Sequence, residues 1–229
     1  MKKRILVTAT TFPRWKNDTE PKFVYDLSRL LLKKGYTITV LVPHHDKAER
    51  DEMMDGLHVL RYKYFFSKLE KLCYDGGIRP NMKKYKIAKI LPPFLFCASL
   101  INTLYLVKKE KIDLIHAHWV IPEGFVAYIN KKIFATPYVV TVHAGDIFPL
   151  RNKIFRFLAK LTLKNADYCT VNSNYTKQEV FKIWSGKKIE TIPMGVNLKS
   201  FNPKKRRNQL RKELGIKDII GFDPKEERR

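Results

Sequence analysis

Short runs of consecutive apolar residues alternate along this chain with longer segments in which apolar residues recur every three or four positions. The first run covers residues 4–10, and a helical pattern follows at residues 22–34. Gly35 is placed to end that helix, because glycine readily adopts the left-handed conformation that follows a helix C-terminus. A second apolar run at residues 37–42 stops at Pro43. The pattern therefore predicts a β-strand, an α-helix and a second β-strand, a βαβ unit.

The same alternation continues towards the C-terminus and predicts further strands and helices. The strands are predicted at residues 57–64, 113–117, 138–142, 168–171 and 189–192, and the helices at residues 94–109, 124–133, 153–164 and 175–184. Strands that are apolar throughout, with amphipathic helices between them, are typical of a parallel sheet covered on both faces, because right-handed crossovers place helices on each side. The fold class predicted is α/β, a doubly wound parallel sheet of the Rossmann type formed by residues 1–200.

Two segments depart from this alternation. Residues 201–229 are largely polar, with basic runs at 204–207 and 228–229 and a short helical pattern at 208–214, so we expect a linker there. In residues 65–93, aromatic and basic residues interleave. That composition suits an interface with acidic lipid headgroups, and it suits a solvated basic flap over the sheet equally well.

The charge balance is strongly positive. The chain of 229 residues carries 45 Lys and Arg against 22 Asp and Glu, a formal net charge of +23. Such a charge favours a polyanionic surface, a phosphate-bearing ligand or an acidic lipid surface as a partner. Because no recognition-helix or RNA-binding sheet motif accompanies the charge, we expect no nucleic acid partner.

The cysteines and the apolar segments bear on the compartment. Cys73, Cys97 and Cys169 are odd in number and far apart, which argues against a disulfide framework or a structural zinc site and favours a reducing compartment. The opening apolar run is too short for a signal peptide, so a cytoplasmic location is expected. The apolar stretch at residues 90–107 approaches membrane-spanning length, but it contains a Pro-Pro pair and polar residues, and we expect a buried helix.

Several common catalytic motifs are absent from the sequence. It has no Gly-x-Gly-x-x-Gly after the first strand and no Gly-Lys-Ser/Thr loop, which argues against a dinucleotide dehydrogenase and a P-loop NTPase. It also lacks Gly-x-Ser-x-Gly and His-Glu-x-x-His, the signatures of common hydrolases. The histidines at 44–45 and at 116 and 118 lack a third ligand at a suitable spacing, so no metal site is predicted.

Polar residues are concentrated where predicted strands end, the edge of a parallel sheet at which ligands bind. The segment 113–119 ends in His116-Ala117-His118-Trp119, and the next strand ends in His143-Ala144-Gly145-Asp146. An imidazole with a carboxylate three residues later can bind vicinal sugar hydroxyls, and Gly145 lets the backbone approach a ligand closely. The alternative is that His143 is a core side chain and Asp146 a helix cap. Two similar segments on neighbouring strand ends favour a functional site.

Several strings, in this order along the chain, resemble the family-four glycosyltransferases of the GT-B type. They are Phe-Pro-Arg-Trp at 12–15, Lys-Gly-Tyr at 34–36, residues 113–119 with Pro122 and Gly124, Thr-Val-His at 141–143 with Asp146, Ala-Asp at 166–167, Ser173, and Ile-Pro-Met-Gly-Val-Asn at 192–197. Residues 74–81 and 91–94 resemble a subgroup that builds polysaccharides and lipid-linked glycans. The first loop lacks the Gly-Gly pair of many relatives, which puts direct phosphate binding by that loop in doubt.

The resemblance implies the N-terminal, acceptor-side domain of a two-domain glycosyltransferase. Such an enzyme transfers a sugar from a nucleotide-sugar donor to a glycan or lipid-linked acceptor with retention of anomeric configuration, and it uses no metal and no other cofactor. The donor would bind mainly to a second domain after the hinge near residue 195. Residues 201–229 are then expected to be a linker and the truncated start of that domain, and this chain is expected to be inactive alone.

The resemblance also implies roles for individual residues. His143, with Asp146 and His118, is expected to be catalytic, with His143 contacting the sugar and the other two orienting hydroxyl groups. The expected substrate-binding residues are Arg14, His116, Trp119, Gly145, Ser173 and Gly195. A different interpretation is a non-catalytic basic module that docks on an anionic membrane, at the inner face of the cell membrane, or that borrows a donor domain from another chain.

Overall fold

The computed structural model describes residues 2–186, 189–195, 198, 212–213 and 215. Contacts between residues divide the chain into two units, Met1–Met194 and Gly195–Arg229. In the second unit, Lys212 and Glu213 are helical. The remainder of the helix predicted over residues 208–214 lies outside the described residues.

The first unit is an eight-stranded sheet with helices on both faces. The strands are β1 (Arg4–Thr8), β2 (Thr37–Pro43), β3 (Asp51–Met54), β4 (Leu57–Tyr62), β5 (Leu114–His118), β6 (Tyr138–Val142), β7 (Tyr168–Val171) and β8 (Ile189–Thr191). The helices are α1 (Phe23–Lys33), α2 (Ile78–Lys84), α3 (Pro92–Glu110), α4 (Phe125–Phe134), α5 (Ala144–Ile147), α6 (Lys153–Asn165) and α7 (Asn174–Phe181).

The strand order is β3-β4-β2-β1-β5-β6-β7-β8, and every neighbouring pair except β3 and β4 is parallel. The predicted α/β fold with a doubly wound parallel sheet is therefore confirmed. The order reverses at β1, from which the chain winds first towards β4 and then, after α3, towards β8. A reversal of this kind opens a crevice at the carboxyl ends of the central strands, the usual ligand position in such folds.

The antiparallel edge strand β3 was not predicted. Its four residues, Asp-Glu-Met-Met, are too polar and too few to stand out by pattern. The signal that could have found it is the dipeptide Asp55-Gly56, whose positive φ angles of 48° and 87° form the two-residue turn of a hairpin. The sheet is consequently mixed at one edge. Helices α2 and α5 were also not predicted, whereas β6 and β7 have the predicted bounds.

Alternate residues of the strands enter two apolar layers, one on each face of the sheet. Leu6 belongs to the larger layer, and its neighbours Ile5 and Val7 belong to the smaller one. The larger layer is covered by α3, α4 and α6, and the smaller one includes Val24 of α1. Because side chains alternate across a strand, a run that is apolar at every position is needed for a sheet buried on both sides.

The segment between β4 and α3 packs against the larger layer through Leu72, Cys73, Tyr74 and Leu91, all of which are buried. Its aromatic residue Phe66 is 73% exposed. Helix α3 starts in a Pro-Pro pair and buries polar side chains along one side, in agreement with the buried helix expected there. Within the part of the chain that the structure describes, no helix combines the length and apolarity that a membrane crossing requires.

Candidate functional site

The three predicted site histidines lie in one cluster at the carboxyl ends of β5 and β6. His116 and His118 occupy alternate positions of β5, so their rings project from the same face and stack with centroids 4.5 Å apart. His143 follows β6 directly, and β6 pairs with β5 in parallel register. Its Nε2 atom lies 3.2 Å from Nδ1 of His118. The sheet therefore brings together three imidazoles from two strand ends.

The imidazoles have little contact with solvent, and this determines their charge. His118 is 1% exposed and His143 is 5% exposed. Burial of the ring lowers the pKa of His116 and of His143 to about 4, and burial together with the two neighbouring histidines lowers the pKa of His118 well below its ordinary value. At neutral pH the three rings are therefore uncharged. A neutral imidazole offers one hydrogen-bond donor and one acceptor, as recognition of a hydroxyl group requires.

Two ring nitrogens in the cluster are unsatisfied. Nε2 of His118 and Nδ1 of His143 are buried and have no hydrogen-bond partner within the described residues. A buried polar atom without a partner costs about 1–3 kcal/mol, so most such atoms in proteins are paired. These unpaired imidazole nitrogens lie at the carboxyl edge of the sheet, the edge at which ligands bind in folds of this class.

Two part-exposed aromatic residues form the rim of the histidine cluster. The ring of Phe23, in the first turn of α1, lies 5.0 Å from that of His143 and 6.0 Å from that of Trp119. The Trp119 ring lies 5.0 Å from that of His143. Trp119 has a φ of 71°, which turns the chain out of β5 into the turn Val120–Gly124. Trp119 was predicted to be at the site, whereas Phe23 was predicted only to lie within the helix at residues 22–34.

Asp146 is held mainly by backbone contacts. Its Oδ1 accepts a hydrogen bond of 3.0 Å from the His143 backbone N–H, and its Oδ2 accepts one from the backbone N–H of Val120. Burial raises the pKa of Asp146 to about 7, although these hydrogen bonds act in the opposite direction. The carboxylate thus links the chain after β5 to the chain after β6. These contacts fit the cap interpretation, and its expected catalytic role stays a prediction.

A row of polar groups connects the histidine cluster to the next strand. Nε2 of His116 is 2.8 Å from Oγ1 of Thr141, which is 2.8 Å from Oγ1 of Thr170 on β7. The two threonines were not predicted at the site. The feature of the sequence that could have indicated them is a single hydroxyl residue in each of two otherwise apolar strands. Only the register of the strands places the two hydroxyl groups next to each other. The row fixes the orientation of the His116 ring.

Glu123 is another residue that was not predicted from the sequence. It is fully buried, and its carboxylate accepts hydrogen bonds from Ser99 Oγ at 2.9 Å and from Tyr62 O–H at 3.3 Å. Burial raises its pKa to about 7, although the hydrogen bonds lower it. Glu123 lies in the turn that follows Trp119, so it ties that turn to α3 and to β4. In the sequence it stands between Pro and Gly and indicates only a turn.

The other predicted site residues lie outside the histidine cluster or make structural contacts. The guanidinium of Arg14 donates to both carboxylate oxygens of Asp18, at 2.8 and 2.9 Å, and to Asp75 at 3.0 Å. Ser173 caps α7 by accepting the Thr176 N–H at 3.1 Å. Gly145 lies in α5 and is exposed, and a Cβ atom added there would have no neighbouring atom within 4 Å. Gly195 belongs to the second unit.

No group of three or more His, Cys, Asp or Glu side chains among the described residues is arranged to hold a metal ion. The substrate-binding roles predicted for Arg14, Gly145, Ser173 and Gly195 stay predictions. What the site offers chemically is a set of neutral donors and acceptors under an aromatic rim.

Comparisons with known proteins place this chain in a family. The family model described as Glycosyltransferase Family 4 matches residues 22–200. An uncharacterized glycosyltransferase of Methanocaldococcus jannaschii is 32% identical over 142 residues, which are 61% of this chain and 38% of that protein. A UDP-Gal:alpha-D-GlcNAc-diphosphoundecaprenol alpha-1,3-galactosyltransferase of Escherichia coli is 32% identical over 127 residues, 52% of this chain and 33% of that protein. The chain thus spans well under half the length of these curated relatives.

Solved structures show the same fold at low sequence identity. The sucrose-phosphate synthase of Thermosynechococcus elongatus has a TM-score of 0.56 at 18% identity, covering 93% of this chain and 99% of that one. The Anabaena protein HepE, in complex with UDP and glucose, has a TM-score of 0.53 at 16% identity, covering 93% of this chain and 50% of that one. By the match of the family model over most of its length, this chain belongs to glycosyltransferase family 4.

Proposed function

We propose that this chain forms the acceptor-side half of a glycosyltransferase and that His118 and His143 orient the transferred sugar. The observation that carries the proposal is the cluster of buried, neutral imidazoles at the carboxyl edge of the sheet, in a chain that belongs to a glycosyltransferase family. Neutral rings with fixed positions suit hydroxyl groups. A cationic site would instead suit phosphate.

In this proposal the donor is a nucleotide sugar whose diphosphate is bound by a second domain. The E. coli relative is named as a transferase that uses UDP-Gal, and HepE was solved with UDP and glucose. The family match and the coverage of the curated relatives support a larger enzyme, since this chain spans 33–38% of the two relatives described above. Departure of the diphosphate leaves positive charge on the sugar, and fixed dipoles of the protein stabilise such a state without reorganising.

The proposed reaction retains the anomeric configuration, and the departing phosphate takes the proton of the acceptor hydroxyl. No metal and no other cofactor takes part. Because burial lowers the pKa of His143 to about 4, its ring stays neutral through the range in which a free histidine would titrate. Transfer is therefore expected to show no acid limb near pH 6.5 that is due to this residue. NMR analysis of the product's anomeric configuration tests retention.

The decisive experiment compares histidine variants in a protein that includes the nucleotide-binding half. His143→Ala is expected to lower transfer of labelled sugar from a panel of nucleotide sugars by orders of magnitude. The matched control is His58→Ala, because His58 lies on β4 and pairs with the exposed Asp51. Near-normal turnover of His143→Ala would overturn the assignment. The 229-residue chain by itself is expected to transfer negligible sugar, since a site between two domains is not preorganised with one wall absent.

A second candidate function is docking on an anionic membrane, with or without catalysis. It is favoured by the exposure of Phe66, Ile90 and Phe94, apolar side chains close in sequence to many lysines. The ring of Phe65 links this group by packing against both Phe66 and Phe94. Apolar side chains ringed by cations are typical of peripheral membrane surfaces. A lipid-linked acceptor would place the enzyme at the inner face of the cell membrane.

Sedimentation with vesicles tests the docking surface. The chain is expected to bind vesicles containing phosphatidylglycerol more strongly than vesicles of phosphatidylcholine. The double variant Phe66→Ser, Phe94→Ser should release it, whereas Phe157→Ser, an exposed aromatic residue on α6, serves as the matched control. Vesicle binding without sugar transfer, when the nucleotide-binding half or a separate donor-domain chain is supplied, would favour the non-catalytic alternative.

A further inference from the structure

A second aromatic cluster lies beyond the carboxyl ends of β1 and β2, away from the three histidines of β5 and β6. It consists of Trp15 and Tyr74, with His45 between them. The His45 ring lies 6.2 Å from that of Trp15 and 5.6 Å from that of Tyr74, edge-on in both contacts. Tyr74 is fully buried, whereas Trp15 is 40% exposed. The indole therefore packs on buried side chains and is partly exposed to solvent.

The position of the indole is fixed by an arginine. The Arg14 guanidinium carbon lies 4.7 Å from the centre of the Trp15 ring and 5.8 Å from that of Tyr74. Arg14 is itself held by the paired hydrogen bonds to Asp18 and by the contact with Asp75. Because three nitrogen atoms of the guanidinium form hydrogen bonds, its position is fixed. The indole that packs against it therefore has a fixed orientation as well.

The cation beneath the indole is surrounded by carboxyl groups. Arg14 is buried, and so are Asp18 and Glu20, while Glu20 accepts a hydrogen bond of 2.6 Å from the Asp75 backbone N–H. Burying an ion pair costs desolvation that its attraction repays only partly, so such pairs add less stability than apolar packing does. What the arrangement does provide is a fixed orientation. Because Arg14 is paired with carboxylates, its guanidinium is not available to bind a phosphate.

His45 supplies a polar atom next to the indole. Its Nδ1 accepts a hydrogen bond from the Lys47 N–H at 3.3 Å and lies 3.2 Å from the Asp46 carboxylate. These contacts occupy Nδ1 and leave Nε2 for a ligand. Burial lowers the pKa of His45, with Arg14 and Lys71 acting in the same direction and Asp46 and Asp75 opposing them. A flat aromatic face with a neutral ring nitrogen beside it matches the C–H face of a sugar ring and its peripheral hydroxyls.

We propose that Trp15 and His45 form an acceptor subsite that binds one sugar ring of a neutral glycan, with the indole stacked on the ring's C–H face. The inference rests on the proposed function and names the acceptor chemistry. Strands β2, β1, β5 and β6 are consecutive in the sheet. Two strand spacings, about 10 Å, therefore separate the two clusters. An acceptor that lies on Trp15 extends to the histidine cluster across the carboxyl ends of β1 and β5.

NMR of the tryptophan indole N–H groups tests this subsite in the 229-residue chain. The chain has three tryptophans, Trp15, Trp119 and Trp184, so Trp→Phe variants assign the three signals. The probes are cellobiose, lactose and N,N′-diacetylchitobiose. At least one is expected to shift the Trp15 signal in a saturable manner and to leave the Trp184 signal in place. Trp15→Ala is expected to lower the affinity about tenfold, the usual size of an aromatic stacking contribution.

Controls separate binding at the subsite from loss of folding. Trp15→Phe keeps a ring and is expected to bind with intermediate affinity, and the exposed Phe157→Ala should bind as the wild type does. His45→Gln, which keeps a polar nitrogen, should weaken binding less than His45→Ala. Circular dichroism confirms that each variant is folded.

Two results would overturn the subsite. One is a Trp15 signal that no disaccharide shifts, and the other is unchanged affinity in folded Trp15→Ala. A Trp15 signal that moves only with phosphatidylglycerol vesicles would also refute it, in favour of a lipid headgroup. In a protein with the nucleotide-binding half, Trp15→Ala should raise the KM for the acceptor and leave the KM for the nucleotide sugar unchanged. If the proposed function is wrong, the result is different: the wild-type protein with the nucleotide-binding half transfers no sugar, whether or not sugars bind at Trp15.

Discussion

The buried carboxyl of Glu123 is expected to make the stability of this fold depend on pH in an unusual direction. Burial raises its pKa from an ordinary value of 4.5 to about 7. The folded chain therefore holds a proton that the unfolded chain releases between these two pH values. Under this condition the free energy of unfolding falls as the pH rises. Most carboxyl groups that form ion pairs act in the opposite direction.

The size of the effect follows from the two proton affinities. Each tenfold difference in affinity is worth about 1.4 kcal/mol, so the difference between 4.5 and about 7 amounts to about 3 kcal/mol. The free energy of unfolding is therefore not reduced by Glu123 below pH 4.5. The reduction grows between pH 4.5 and pH 7 and is complete above pH 7. Glu123→Gln removes the ionisation and keeps a side chain of nearly the same shape, with oxygen and nitrogen still able to pair with Tyr62 and Ser99.

Urea unfolding followed by circular dichroism measures the free energy of unfolding at a series of pH values. The difference between Glu123→Gln and the wild type is expected to rise by about 3 kcal/mol from pH 4.5 to pH 8. The shifts of Asp146 and the histidines are common to both proteins and cancel in that difference. The matched control is Glu49→Gln, because Glu49 is exposed, and its difference should stay near zero. A flat difference for Glu123→Gln would show that its carboxyl is not desolvated, and the reasoning would be wrong.

Two further predictions concern packing and ion pairing. A Cβ at Gly124 would lie 2.8 Å from a Thr162 methyl carbon, so Gly124→Ala is expected to lower the free energy of unfolding, measured in urea, by about 1–3 kcal/mol. In the control Gly145→Ala the added Cβ has no neighbouring atom within 4 Å, so the free energy of unfolding should stay unchanged. Equal losses of stability in the two variants would contradict this packing. Burial raises the pKa of Asp18, but the hydrogen bonds from Arg14 lower it more, to well below its ordinary value. Asp18→Ala is therefore expected to cost about 3 kcal/mol at pH 7 and less in acid, and a loss that is equal at both pH values would exclude the ion pair as its cause.

The sequence by itself determined the architecture and the edge of the sheet that carries the site. Apolar runs such as that of β6 and amphipathic segments such as α6 sufficed, because burial on both faces leaves a parallel strand few polar positions and gives a covering helix one apolar side. His116, His118 and His143 could also be assigned to one edge, since parallel strands end together. The resemblance to glycosyltransferases, which rested on strings in these same loops, is confirmed by the family match.

Only the tertiary structure decided what the side chains contact. Register across β5, β6 and β7 makes His116, Thr141 and Thr170 one row, and the fold over β1 and β2 sets His45 against Trp15. Contacts of this kind join residues far apart in sequence, and no local pattern encodes them. Ionisation states follow the same rule. A glutamate between Pro and Gly has an ordinary pKa in the unfolded chain, and it is the packing of α3 over Glu123 that removes water from its carboxyl and raises that pKa.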